Sequence, residues 1–152
     1  PAVLGGVDLE LRREWRQGWM VSVGYGYQRA TFIQLPAGDP LITNPRVTNA
    51  PEHLASARGV VPIVPDLASL GLRMTLESPR RADIGSDEVT RPTVVGDITL
   101  SGNVKRFGVG YVIGVYNVAD QKYSLPTTEA YFNKYSPQNG RTFMANLSLS
   151  YP

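Results

Sequence analysis

The sequence predicts an all-β fold, an antiparallel transmembrane β-barrel with short periplasmic turns and long extracellular loops. Large apolar residues alternate with small or polar ones along most of the chain, whereas the 3.6-residue spacing of amphipathic helices is hard to find. Short and long connections alternate strictly between successive candidate strands. This sorting is typical of outer-membrane barrels, because their turns and loops lie at opposite ends of the sheet.

About seven candidate strands follow one another along the chain. They cover residues 7–15, 19–32, 53–63, 68–78, 93–102, 109–118 and 141–151. The segments "RQG", "VPDL" and "NVKRF" predict tight turns between successive pairs of strands. The other three connections, residues 33–52, 79–92 and 119–140, are long and rich in Pro, Gly, Asn and Asp, which predicts three extracellular loops.

Each candidate strand has one bulky apolar face and one small or polar face. The bulky face of the second strand consists of Trp19, Val21, Val23, Tyr25 and Tyr27. The polar face of the first strand is fully ionic and consists of Asp8, Glu10, Arg12 and Glu14. Since such a row has to meet water, we expect the bulky face to contact lipid. Slipping the register by one residue would expose the ionic row to lipid, at up to about 2 to 4 kcal/mol for a midplane arginine.

Aromatic residues stand at both ends of the bulky face of the second strand. Trp15 and Trp19 flank the first turn, and Tyr25 and Tyr27 lie toward the other end. From Trp19 to Tyr27 the chain rises roughly 19 Å, at about 3.3 Å per residue and a tilt of about 45°. This rise places the rings just inside the edges of the roughly 25 Å apolar band of such a barrel. The four residues are therefore interpreted as membrane-interface aromatics that contact outer-membrane lipid.

Composition excludes several classes of function. The chain has no cysteine and one histidine, His53, which excludes disulfide scaffolds and thiol catalysis and argues against a zinc site. The net charge of +2 comes without a stripe of lysine and arginine, so nucleic acid is not an expected partner. No group of residues pairs a nucleophile with an oriented base. We therefore expect no enzyme, no catalytic residue, no bound metal and no cofactor.

Three motifs, in order along the chain, resemble those of one known family. "TNAPEHLASARGVV" is similar to an Asn-x-Pro-x-His element that enters a strand, carried by Asn49, Pro51 and His53. "GVYNVADQKY" resembles a Val-x-Asn-Leu-x-Asp-x-x-Tyr element near the end of the penultimate strand, carried by Asn117, Asp120 and Tyr123. "GRTFMANLSLSY" looks like the final strand, with Gly140, Arg141 and Phe143. The family is that of the TonB-dependent outer-membrane receptors.

The resemblance covers essentially the whole sequence and implies both fold and function. It implies that residues 1–152 are the C-terminal segment of a barrel of about 22 antiparallel strands, which surrounds an N-terminal plug domain. The location implied is the bacterial outer membrane. The function implied is uptake of a scarce nutrient, such as a ferric siderophore or cobalamin, driven through TonB. The plug and the TonB-contacting box would precede Pro1.

The motif residues and the third loop offer the candidate site residues. His53 is interpreted as a histidine at the rim of a strand, because no second histidine or cysteine accompanies it. Asn117 and Asp120 are expected to turn the chain as it leaves the sheet, using their side-chain oxygens as acceptors. The ligand-binding candidates lie in "EAYFNKYSPQNG" and are the rings of Tyr131, Phe132 and Tyr135 and the amide of Asn133.

Two other classes of protein share part of this pattern. A complete small outer-membrane barrel with a structural or adhesion role is close in length, although about seven strands is an odd number for it. A soluble β-sandwich that binds carbohydrate or protein would explain the alternation and the loops. It would not explain aromatic rings at both ends of an apolar face.

Overall fold

The computed structural model describes residues 2–32, 46–83, 87–127 and 132–150, and these residues form an all-β structure. Seven strands make one antiparallel sheet in the order β1-β2-β3-β4-β5-β6-β9. Their bounds are β1 Ala2–Glu14, β2 Met20–Phe32, β3 His53–Val64, β4 Ala68–Glu77, β5 Thr93–Val104, β6 Val109–Tyr116 and β9 Thr142–Leu149. The prediction of an all-β antiparallel sheet is confirmed.

Apart from strand ends that shift by one or two residues, the structure differs from the prediction at two places. β1 begins at Ala2, five residues before the predicted start at residue 7, because Val3 and Leu4 continue the pairing with β2. The third long connection contains a separate hairpin of two short strands, β7 Ser124–Pro126 and β8 Tyr135–Pro137. Strands of three residues are too short to show an alternating pattern, so the sequence did not indicate them.

One end of the sheet is closed by three tight connections, and we call it the turn end. The N–H of Trp15 donates to the carbonyl of Trp19 at 3.0 Å, and Gly18 between them has φ +85°. Residues 65–67 turn the chain from β3 to β4. A single 3₁₀ turn, Lys105–Phe107, joins β5 to β6. In the described part of the chain, no helix is long and apolar enough to cross a membrane.

The register keeps the bulky residues of neighbouring strands on one face, which we call the outward face. Leu11 of β1 lies opposite Val23, and Val23 lies opposite Ala57. At the other side of the sheet, Phe143 of β9 lies opposite Val115 of β6. Because side chains alternate along a strand, the small and polar residues then share the opposite face, which we call the inward face.

The sheet is a single layer without a packed apolar core. Ala82 is the one buried hydrophobic residue in the described ranges, and none of their large side chains is fully buried. The exposed fractions of Val21, Leu72 and Leu147 on the outward face are 47%, 44% and 75%. In a sandwich such residues pack against a second sheet. The described residues therefore do not form a β-sandwich.

The sheet is open at both sides. β1 pairs with β2 and β9 pairs with β6, so these two strands lie at the opposite edges. All residues of β1 are exposed. The order of the described strands therefore does not form a closed small barrel, in which the first strand would pair with the last.

Candidate functional site

The end of the sheet opposite the tight turns, which we call the loop end, carries a buried asparagine directly after β6. Asn117 is 3% exposed, and its φ of 52° is in the left-handed region that asparagine tolerates. Its backbone N–H donates to Oδ1 of Asp97 at 2.9 Å. Its side-chain amide donates to the carbonyls of Gln121 and Asn139, and its Oδ1 accepts the N–H of Gln121 at 2.9 Å. Asn117 therefore joins β5, the chain after β6 and the chain before β9.

Asp120 connects this turn to the start of β9. One oxygen of its carboxylate accepts the backbone N–H of Arg141 at 2.7 Å and the Nζ of Lys122 at 2.9 Å. The Arg141 N–H first, and then Lys122, hold the pKa of Asp120 below its ordinary value. A Cβ at Gly140 would lie 2.5 Å from the same oxygen, so a side chain there would displace the carboxylate. The structure thus brings together the second and third motifs.

The Asn-x-Pro-x-His motif is held by an arginine that the sequence did not indicate. Nη1 of Arg80 donates to the backbone carbonyl of Asn49 at 2.9 Å and to its Oδ1 at 3.1 Å. The Nε and Nη2 of the same side chain donate to Oε2 of Glu77. Gln28 of β2 donates to the carbonyl of Pro51 at 3.1 Å. Three connections at the loop end are therefore tied to the sheet by side chains.

His53 lies on the outward face, near the loop end, between two tyrosines. Its Nδ1 is 2.8 Å from the hydroxyl of Tyr25, and its ring centroid is 5.2 Å from that of Tyr27. All three residues are half-exposed or exposed. In the ranges that the structure describes, no group of three or more His, Asp and Glu side chains could hold a metal ion.

The two tryptophans lie at the turn end of the outward face. Trp15 and Trp19 are 39% and 46% exposed. The guanidinium of Arg13 lies 4.9 Å from the centre of the Trp15 ring, which is within the range of a cation–π contact. Together with Tyr25 and Tyr27, the tryptophans place aromatic rings at both ends of the exposed apolar face.

A cluster of charged groups joins the second long connection to the β7–β8 hairpin, and we call it the Glu88 cluster. The carboxylate of Glu88 accepts the Nζ of Lys134 at 2.5 Å and the hydroxyl of Tyr135. These two bonds, Lys134 first, lower the pKa of Glu88. The bond to Glu88 raises the pKa of Lys134 and likewise raises the pKa of Tyr135. The Nζ of Lys134 also lies 4.0 Å from Oδ2 of Asp83.

The predicted ligand residues of the third loop occupy different surroundings. Tyr135 belongs to the Glu88 cluster, and Phe132 is fully exposed. Asn133 is exposed, and its backbone carbonyl accepts the hydroxyl of Thr127. Tyr131 lies outside the described residues. Phe143, from the third motif, is 73% exposed on the outward face.

An open cleft of about 820 Å³ lies between the second long connection and the segments around the β7–β8 hairpin. Its lining includes Arg91, Gln121, Lys122, Tyr123, Tyr135 and Gln138. It thus offers two cationic groups, two phenol rings and two amides, although Lys122 is paired with Asp120 and the hydroxyl of Tyr135 is bonded to Glu88. Such a lining suits a ligand with anionic oxygens and flat or apolar parts.

No protein-family model and no curated protein matches the chain. A solved structure is similar to it, that of BauA, the ferric preacinetobactin receptor from Acinetobacter baumannii, with a TM-score of 0.75 and 13% sequence identity. The likeness covers 95% of this chain and 21% of the receptor chain, so this chain spans about a fifth of that protein. At this identity the comparison shows a shared fold.

Proposed function

We propose that this chain is part of the β-barrel of a TonB-dependent receptor in the bacterial outer membrane, which takes up a scarce nutrient. The observation that carries the proposal is the single sheet, whose bulky outward face is exposed and has aromatic rings at both ends. An apolar face of this size is unfavourable in water and suits hydrocarbon. The fold shared with part of a ferric siderophore receptor supports the same conclusion.

The open edges support a place within a larger barrel. β1 and β9 each have one neighbour in the described sheet, and unpaired strand edges are not tolerated within the membrane. In a barrel of about 22 strands, further strands pair with both edges. The proposal then includes an N-terminal plug domain within the barrel and TonB as the source of energy. It includes no catalytic step.

The cleft beside the β7–β8 hairpin is the proposed contact for cargo in this part of the barrel. Arg91 supplies a positive charge that no carboxylate in the described ranges pairs with, Lys122 is paired with Asp120, and Tyr123 and Tyr135 supply rings. These groups favour a negatively charged metal chelate, such as a ferric siderophore, over cobalamin. Cargo binding in the full receptor would involve other loops as well.

A growth experiment tests the uptake function. The gene that encodes the full protein is deleted, and growth under iron limitation is compared across a panel of ferric siderophores and, in a separate medium, cobalamin. We expect loss of growth on one ferric siderophore, restored by the gene but not in a strain that lacks TonB. Unchanged growth on every cargo, or uptake without TonB, would contradict the proposal.

A pair of substitutions tests the orientation toward lipid. Leu72 of β4 lies on the outward face, and Thr75 lies on the inward face of the same strand. In the full protein refolded into lipid vesicles, Leu72→Arg is expected to lower the free energy of unfolding by about 2 to 4 kcal/mol, as for arginine near the bilayer midplane. Thr75→Arg is expected to lower it much less. Equal losses in urea unfolding would show that the outward face does not contact lipid.

A further inference from the structure

A cation lies at the end of an exposed apolar row beside the first tight turn. On the outward face of β1, Leu9 and Leu11 are strongly exposed, and Arg13 follows them, opposite Val21 of β2. The outward residues of β1 before Arg13 are all apolar or glycine. Arg13 therefore lies at the border between the apolar row and the turn end.

The guanidinium of Arg13 is directed toward the turn end. Its central carbon lies 4.9 Å from the centre of the Trp15 ring, and Trp15 is two residues closer to the turn. Each residue of a strand advances about 3.3 Å, so this contact moves the charge away from the apolar row and toward the level of the tryptophans. A cation over a ring is attracted by the charge distribution of the ring and not by a hydrogen bond. The N–H donors of Arg13 therefore remain available to a ligand.

The positive charge of the first turn has no acidic partner within the described ranges. Glu14 accepts a bond from the Nε of Arg12 at 2.9 Å, and alternation places both of these side chains on the inward face. Neither Arg13 nor Arg16 forms an ion pair with any residue that the structure describes. A ligand with an anionic group would compensate this charge.

The turn end as a whole is positively charged. Residues 12–19, 65–67 and 105–107 contain five cationic and two acidic side chains. Both acids are already paired, Glu14 with Arg12 and Asp66 with Lys105. Each cation near an anionic membrane surface raises the binding constant about fivefold. The turn end therefore favours a lipid with a net negative charge over a zwitterionic lipid.

The surroundings of Arg13 fit a phospholipid better than a soluble anion. Trp15 and Trp19 are exposed rings of the kind that lie at the level of lipid headgroups. From Arg13, the exposed row of Leu11 and Leu9 continues along the outward face. A phospholipid presents a phosphate, an interfacial region and an acyl chain in this order. A soluble phosphate has no acyl chain and would leave the apolar row uncovered.

We propose that the outward side of the first turn binds a phospholipid with a net negative charge. Arg13, held over the ring of Trp15, binds the phosphate, and an acyl chain lies along Leu11 and Leu9. Arg16 strengthens the attraction through its unpaired charge. The inference rests on the proposed function, which puts the outward face in contact with the membrane and the tight turns on the periplasmic side. It adds the class of headgroup and the residue that selects it.

Photo-crosslinking in the full protein tests this proposal. A photoreactive amino acid replaces Val21, directly opposite Arg13, and the protein is refolded into vesicles of equal amounts of phosphatidylglycerol and phosphatidylcholine with the same acyl chains. We expect crosslinks to phosphatidylglycerol to exceed those to phosphatidylcholine at least about fivefold. The same amino acid at Ile113, which lies opposite Leu100 and Ala145, is expected to crosslink both lipids equally. Equal crosslinking of the two lipids at position 21 overturns the proposal.

Substitution of Arg13 then tests the residue that selects the headgroup. With the photoreactive residue at position 21, Arg13→Gln is expected to lower the ratio of the two crosslinks about fivefold. Arg12→Gln is the matched control, because it removes the same charge from the neighbouring residue on the inward face, and it is expected to leave the ratio unchanged. Equal ratios in the two variants overturn the assignment to Arg13.

A salt comparison distinguishes lipid from free phosphate. Sodium phosphate is expected to lower the crosslink ratio no more than sodium chloride of the same ionic strength does, because the acyl chain holds the lipid at the apolar row. A much larger loss in sodium phosphate would show that Arg13 binds the free anion, and it would overturn the lipid assignment.

The outcomes separate this proposal from the proposed function. A receptor that takes up cargo, and in which Leu72→Arg is more destabilising than Thr75→Arg, contradicts the phospholipid site alone if position 21 crosslinks both lipids equally. A protein that selects phosphatidylglycerol through Arg13 but supports no uptake of any tested cargo contradicts the uptake function alone. Heat-modifiable migration in gel electrophoresis verifies that each variant is a folded barrel before either result is used.

Discussion

The two ends of the sheet differ in how much side chains contribute to closing them. At the turn end, backbone bonds close the chain, as between Trp15 and Trp19 or from the N–H of Leu67 to the carbonyl of Val64. At the loop end, backbone bonds such as that from the N–H of Asn49 to the carbonyl of Arg81 are joined by side-chain bonds, above all those of Asn117 and Arg80, each of which bonds to two or more separate segments. Short connections satisfy most of their own backbone groups, although the carbonyl of Leu67 accepts the hydroxyl of Tyr111, whereas long connections need more partners from elsewhere in the chain.

This difference predicts where substitutions matter. A residue in a tight turn contributes mainly through its backbone, so most changes of its side chain should be tolerated. A buried side chain at the loop end is bonded to groups that lose their partner when it is removed. Residues of the same type at the two ends therefore make matched pairs for experiments.

The largest loss of stability is expected for substitution of Asn117. Asn117→Ala removes the side-chain bonds to Gln121 and Asn139 and leaves an alanine in the left-handed region. We expect the free energy of unfolding to fall by about 3 kcal/mol, of which about 1 comes from the backbone and the rest from buried groups without partners. Urea unfolding of the full protein in lipid vesicles, followed by tryptophan fluorescence, measures this.

Asn103→Ala is the control for that experiment. Asn103 lies in β5 near the turn end and is exposed. We expect a change within about 0.5 kcal/mol, as for other surface substitutions. If the two alanine variants lose the same amount of stability, the bonds of Asn117 are not what closes the loop end.

A smaller loss of stability is expected for substitution of Arg80. Arg80→Lys keeps the charge but cannot reach both Glu77 and Asn49 with separate nitrogens. We expect a loss of about 1.5 kcal/mol in the same assay, the usual value for a hydrogen bond to a charged group. Arg106→Lys, at the turn end, should change nothing measurable. A loss in Arg106→Lys as large as in Arg80→Lys would remove the distinction between the ends.

The strands could be predicted from the sequence because each one carries its own signal. Alternation at period two reports which residues share a face, and it holds within a single segment such as residues 19–32. The bonds of the loop end have no such local signal. Arg80 and Asn49 are 31 residues apart, and nothing in either neighbourhood indicates the other. The sequence indicated the role of Asp97 only weakly, through the presence of an ionisable residue in the middle of a predicted strand.

The candidate site was predictable only in part, for the same reason. The turn chemistry of Asn117 and Asp120 is local and follows from their side chains. The contacts of the aromatic residues in the third loop depend on residues that are distant in the sequence. The structure places Tyr135 with Glu88, while Phe132 is fully exposed. The cations of the cleft, Arg91 and Lys122, come from different connections, so only the fold brings them together.

The Glu88 cluster makes the loop end sensitive to pH. The pKa of Glu88 is lower in the folded protein, so its contribution is present above the unfolded pKa and is lost as the pH falls through the folded one. The pKa values of Lys134 and Tyr135 are raised, so their contributions are lost only as the pH rises through those higher values. We expect backbone amide exchange in residues 124–127 and 132–137, corrected for the intrinsic pH dependence, to increase in acid below the ordinary pKa of a glutamate.

Two variants check the assignment to Glu88. Glu88→Gln should increase this exchange already at neutral pH and remove its acid dependence, because the amide cannot hold Lys134 as an ion pair. Asp87→Asn, in the neighbouring residue, should leave it unchanged, since Asp87 bonds to Arg81 and not to the hairpin. Acid-dependent exchange that persists in Glu88→Gln would assign the titration to another group.

The smallest effect is expected for an ion pair at the turn end. Lys105 donates to Asp66 at 2.8 Å, and this bond lowers the pKa of Asp66, just as Lys134 does for Glu88. Both groups are strongly exposed, and exposed pairs contribute little because water screens them. Lys105→Met should therefore leave the urea midpoint unchanged, while Lys134→Met should increase amide exchange in the hairpin. A similar loss of protection around both lysines would mean that the turn end also depends on side chains, and the contrast between the two ends would no longer hold.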